Sequence, residues 1–206
     1  MEIETAFLIT AFATLFVVID PPGLIPLFIA LTPGMSSAQR RAIGLRACLV
    51  AITILTLFGL LGEAVLGFIG ISMPAFRIAG GILLFLTALD MLFERRTQRR
   101  EGQTTVHEHD PSVFPLAIPL ISGPGAIATM ILLVGQSSTW QGVVAVHLVM
   151  IFVVSLGFAL FLVAGPLEKV LGRTGTVVIT RLLGMLLAAL SVQFVIDGIK
   201  GTGLIG

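Results

Sequence analysis

The sequence predicts an all-α membrane protein of six transmembrane helices, arranged as two inverted three-helix repeats, with helices 1 and 4 broken near the midplane. Three observations carry that expectation. Six apolar stretches are each long enough to cross a bilayer, which takes about 20 residues. Proline and glycine interrupt the first and fourth stretches at matching places. Lysine and arginine collect in alternate loops.

Composition sets the class. Of 206 residues, 56% are hydrophobic and 11% charged, and the mean hydropathy is +1.09. Such values belong to a polytopic membrane protein rather than a soluble domain. Cys48 is the only cysteine, so one chain can hold neither a disulfide nor a cysteine metal site. The start, Met1-Glu2-Ile3-Glu4, is acidic where a secretory signal is basic, so the first segment is expected to be retained. The expected partners are a small-molecule substrate and the lipid bilayer, not nucleic acid. A homo-oligomer is compatible with the reading. Neither cofactor nor metal is expected.

The first stretch covers residues 5–31 and breaks at Asp20-Pro21-Pro22-Gly23. Two successive prolines remove two backbone donors and clash with the preceding turn, so a helix cannot run through them. At membrane depth, such a break is tolerated only where the freed backbone faces protein or a polar cavity. The second stretch covers 42–69 and the third 74–93. The fourth covers 113–134, the fifth 143–164 and the sixth 177–197. Residues 1–93 then form the first repeat, 94–110 a polar loop, and 111–206 the second repeat of a single membrane domain.

Charge placement orients the chain. Arg40, Arg41 and Arg46 flank the first connection, Arg95, Arg96, Arg99 and Arg100 the third, and Lys169 and Arg173 the fifth. The positive-inside bias puts these loops in the cytoplasm and both termini outside. The opposite loops, around Glu63 and residues 136–141, lack Lys and Arg, and Trp140 there suits the outer interface.

The halves align. Asp20-Pro21-Pro22-Gly23-Leu24-Ile25 matches Ser122-Gly123-Pro124-Gly125-Ala126-Ile127, Ser36-Ser37 matches Ser137-Ser138, and Arg77 matches Arg181, at offsets of 102, 101 and 104 residues. Each half has an odd number of spans, so the second enters the membrane the other way up. That design belongs to secondary transporters.

Each break starts a new helix with proline in its first turn, and Asp20 and Ser122 are the expected caps. Helix starts expose N–H groups and a positive dipole end. Two facing starts would take a small anionic group such as a carboxylate. Gly23, Gly123 and Gly125 would let a ligand approach the backbone. Asp20 is the only acid well inside a span, expected to hold an ammonium group or a proton beside its capping role. Arg77, Arg181 and Pro26 are expected to serve gating or structure, the arginines mainly by snorkelling. His147 reads as a packed or interfacial residue, and His107-Glu108-His109 as a solvated loop lacking a third fixed ligand. Gly184 and Ala188 have small-xxx-small spacing suited to helix packing.

Asp20-Pro21-Pro22-Gly23 with Pro26 and Phe28, together with residues 119–129 from Pro119 to Thr129, resembles the MarC family of bacterial and archaeal membrane proteins. The resemblance spans essentially the whole chain. It implies membership of the lysine-exporter superfamily and transport of small neutral amino acids such as glycine or alanine across the bacterial inner membrane. The expected function is a proton- or gradient-coupled secondary transporter of a small zwitterion, with export of other solutes or drugs, or a non-transporting scaffold, as alternatives. The expected binding residues are Asp20, Pro21, Pro22, Gly23, Ser122, Gly123, Pro124, Gly125 and Thr129. No enzyme is expected, because Ser122 has no nearby His or Lys in sequence and Cys48 is isolated. No Walker-type phosphate loop is present, which argues against ATP-driven transport.

Overall fold

The protein's structure is a computed structural model describing residues 5–93, 110–137 and 139–203, apart from the side chains of residues 168, 169, 171 and 173. The polar loop with Arg95 to Arg100 and His107 to His109 lies outside the described residues. Among the described residues the chain is helical, with no strand. Its elements are α1 (Thr5–Ile19), α2 (Pro21–Leu31), α3 (Ser37–Ile69), α4 (Met73–Leu92), α5 (Ser112–Ile121), α6 (Pro124–Gly135), α7 (Trp140–Leu162) and α8 (Ala164–Gly201).

Five spans are long and apolar enough to cross a membrane: Thr5–Leu31, Ser37–Ile69, Met73–Leu92, Trp140–Leu162 and Thr174–Gly201. A sixth results if α5 and α6, bent by 56° at their junction, count together. In the first span 61% of the most apolar window is buried, against 28% in the other four, so α1 and α2 lie inside the bundle. The faces turned outward carry Phe58, Leu61, Phe85, Phe152 and Leu186, as lipid contact demands.

Local chemistry fixes the helix starts. Ser36 and Gln39 form a capping box, with the Gln39 N–H donating to Ser36 Oγ and the Ser36 N–H to Gln39 Oε1. This cap begins α3 at Ser37, earlier than the hydropathy boundary near 42, because Arg40 and Arg41 are good helix formers that an apolar window rejects. Arg40 donates from both Nε (3.3 Å) and Nη2 (3.1 Å) to the Thr32 carbonyl, at the end of α2. Ser72 and Thr139 cap α4 and α7. α8 begins thirteen residues before the expected sixth span and turns at Gly172, whose φ is 59°.

Small residues bring α4 and α8 into close contact. A Cβ on Gly81 would lie 2.8 Å from the Ser191 carbonyl oxygen, and one on Gly184 3.0 Å from Met91 Cβ. The small-xxx-small spacing is thus used against α4. Elsewhere α3 packs on α7, α5 and α6; α2 on α7 and α8; α4 on α6; and α1 on α7.

Candidate functional site

The first interruption is one residue wide. α1 ends at Ile19, and Asp20 adopts φ 55° and ψ 60°, left-handed backbone that few residues other than glycine accept. Pro21 disfavours the right-handed helical conformation in the residue before it, and aspartate is among the side chains that tolerate the alternative. Pro21 and Pro22 then open α2 at positions where missing N–H groups cost nothing. The Asp20 carboxylate accepts a hydrogen bond from the Gly23 N–H at 3.2 Å. A Cβ on Gly23 would collide with that carboxylate. Asp20 is 1% exposed, and Thr180 of α8 donates its hydroxyl to it at 3.4–3.5 Å. Pro26 sits inside α2 without ending it.

The second interruption is built differently. Pro111, Pro115 and Pro119 recur every fourth residue and deny α5 its regular donors. Wider π-type bonds form instead: Leu116 N–H to the Pro111 carbonyl and Ser122 N–H to the Ala117 carbonyl. Phe114 and Ile118 are extended within this segment. The expected Ser122 cap is not made. Gly123 occupies the cap position of α6 with no side-chain bond, while the buried Ser122 hydroxyl donates to the Ala51 carbonyl of α3 at 3.4 Å. Gly125 and Ala126, in the first turn of α6, are buried.

The two interruptions are neighbours. A Cβ on Gly125 would lie 3.3 Å from Cγ1 of Val18, in the last turn of α1, and 3.6 Å from Oγ1 of Thr87 on α4. Pro21 lies against Gly157 of α7. Thr129, one turn along α6 from Gly125 on the same face, is fully buried, and its hydroxyl has no hydrogen-bond partner.

Among the expected gating residues, Arg77 on α4 is half-buried, with Nε enclosed and unbonded. Arg181 is exposed on α8. Thr180 escaped the sequence reading. Hydroxyl residues in apolar helices usually bond their own preceding turn, so nothing in its neighbourhood distinguished it.

These features define a class: an integral membrane protein of several apolar helices with a buried polar residue, Asp20 or Ser122, at each helix interruption. The family model for MarC family integral membrane proteins matches residues 5–202, and the chain belongs to that family. It is 37% identical over 201 residues to a UPF0056 membrane protein of Archaeoglobus fulgidus, covering 94% of this chain and 92% of the relative. It is 37% identical over 204 residues to one from Aquifex aeolicus, covering 97% and 95%. To the UPF0056 membrane protein YhcE of Escherichia coli it is 37% identical over 194 residues, covering 92% and 90%. No solved structure matches the chain.

Proposed function

We propose that this chain is a secondary transporter of small zwitterions, with neutral amino acids such as glycine and alanine as the substrate class. One observation carries the reading: adjacent helix starts of opposite character. The start of α2 is closed by the Asp20 carboxylate, whereas the start of α6 has no side-chain cap. Leaving a buried N–H unanswered costs about 1–3 kcal/mol, which a visiting carboxylate offsets. The substrate carboxylate therefore binds at Gly125 and Ala126, assisted by the free Thr129 hydroxyl. The ammonium group binds at Asp20 beside Thr180. This corrects the symmetric expectation in one respect, because Asp20 already occupies the α2 start and only α6 offers amides to an anion.

An inverted three-plus-three repeat underlies the reading, and the packing supports it. If α1 to α4 correspond to α5 to α8 in order, the most extensive contacts have counterparts, while α1–α6 and α1–α8 do not. The α2–α8 contact answers α4–α6, α1–α7 answers α3–α5, and α2–α7 answers α3–α6, while α3–α7 and α4–α8 map onto themselves. Gly70 and Gly172, the left-handed glycines before α4 and within α8, add a matched pair 102 residues apart. Such repeats let a central site face alternate sides. Arginine placement supports a cytoplasmic-membrane protein with both termini outside.

Enzymatic chemistry fits the same groups poorly. The Ser122 hydroxyl is bound to a carbonyl rather than a base, and Cys48 Sγ points at the Val154 carbonyl. The test is counterflow of labelled glycine and alanine in proteoliposomes. Exchange of neither, nor of any in a broad amino-acid panel, beside an active control transporter, rejects the reading.

A further inference from the structure

His147 is the only ionisable side chain on α7. Its Nδ1 lies 2.8 Å from the Val143 carbonyl oxygen, one turn earlier. A carbonyl only accepts, so Nδ1 carries the hydrogen and Nε2 of the neutral ring is a lone pair. Nε2 is buried without a hydrogen-bond partner. A Cβ on Gly59 of α3 would lie 2.9 Å from that nitrogen and 3.0 Å from Cε of Met130 on α6. The lone pair thus points into the seam of three helices, at a position of α3 that has no side chain. An unanswered buried acceptor is destabilising, and an apolar residue of similar size would avoid that.

We propose that His147 Nε2 is a proton-binding site, loaded through Glu63. Glu63 follows Gly59 by four residues, on the same face of α3 and about 6 Å further along its axis, and it is exposed. Among the ionisable side chains of α3 it is the one nearest Gly59 in sequence. On the rest of α3, Cys48 is bonded to Val154, and Arg40, Arg41 and Arg46 lie in its opening turns, at the far end from Gly59. Within α1, α2 and α6 there is no ionisable side chain. Asp20, between α1 and α2, is adjacent to Pro21, which lies against Gly157, ten residues along α7 from His147. The ionisable side chains of α8 are Glu168, Lys169, Arg173, Arg181, Asp197 and Lys200. Among the described residues none hydrogen-bonds Nε2.

The consequence rests on the transport reading: a proton cycling through His147 couples solute movement to the proton gradient. One proton per neutral solute sets a steady-state solute ratio of about tenfold per pH unit.

Two measurements test this. In lipid nanodiscs, His107→Gln with His109→Gln leaves His147 as the only histidine. Its 15N spectrum should pass from the bare-nitrogen to the N–H pattern at Nε2 as the medium is acidified. A ring that stays neutral wherever the protein is folded overturns the site. In proteoliposomes, His147→Gln should keep alanine counterflow while the ratio driven by one pH unit falls from about tenfold to about one. An unchanged ratio, or loss of counterflow as well, overturns the coupling role. Wild-type protein without counterflow overturns the transport reading instead, and the nitrogen spectrum still decides the proton site.

Discussion

Thr180 hydrogen-bonds the carboxylate of Asp20 across 160 positions of sequence, joining the last helix to the first interruption. Both partners are buried, and the hydroxyl helps to position the carboxylate. An amide at position 20 would still accept from Gly23 and Thr180. Asp20→Asn should therefore leave thermal unfolding within a few degrees of wild type, while alanine counterflow falls on the order of 100-fold, as expected for losing a buried charge partner. Thr180→Val should cost about 1 kcal/mol, roughly a fivefold loss of apparent affinity. Unfolding can be followed by thiol labelling, because Cys48 is the only cysteine and is buried. Counterflow by Asp20→Asn at the wild-type rate would reduce Asp20 to a helix cap.

The first interruption was legible because its causes are local. Two prolines and a capping aspartate within four residues act through backbone donors and φ angles, which neighbours dictate. The second was legible only in place. Ser122 matched Asp20 in the alignment, yet its hydroxyl turned to Ala51, a partner 71 residues away, and the cap passed to Gly123. The four-residue spacing of Pro111, Pro115 and Pro119 signalled an irregular α5, but reading it required following each donor in turn. Thr180 lay beyond such reasoning, since only tertiary packing brings it to Asp20. The early start of α3 shows a different gap: hydropathy finds the lipid-crossing part of a helix, whereas capping finds its end.

Gly125 and Gly157 should respond oppositely to alanine. A methyl group at 125 would sit 3.3–3.6 Å from Val18, Leu84 and Thr87, crowding the amides proposed to hold the substrate carboxylate. Gly125→Ala should destabilise by about 1–3 kcal/mol and depress counterflow more than tenfold. At 157 the nearest atom, Pro21 Cβ, is 3.8 Å from the new methyl, an ordinary contact. Gly157→Ala should be neutral or stabilising by up to about 1 kcal/mol, from helix propensity alone. Equal transport by both variants would remove the α6 start from the site.

Arg40 holds the end of α2 through the Thr32 carbonyl, a cation on the negative end of a helix dipole. Arg40→Ala should lower stability by about 1–2 kcal/mol. Arg40→Lys keeps the charge, lacks the fork, and should fall between. Since the contact closes a helix end and touches none of the binding groups, apparent affinity for alanine should stay within twofold. A larger change would connect this end of α2 to the substrate.

Thr129 offers the sharpest separation of stability from function. Its hydroxyl is fully buried and unanswered, a liability of about 1–3 kcal/mol to the unliganded protein. Thr129→Val replaces the hydroxyl with a methyl group of similar size. If the hydroxyl exists for a ligand, the variant should unfold at a higher temperature than wild type and bind alanine about tenfold more weakly, the two effects running in opposite directions. Thr129→Ser keeps the donor and should retain most of the affinity. Were the hydroxyl merely structural, with its partner an unseen water, valine would lower stability and leave affinity unchanged. Unfolding temperature and counterflow measured on the same two variants distinguish these cases.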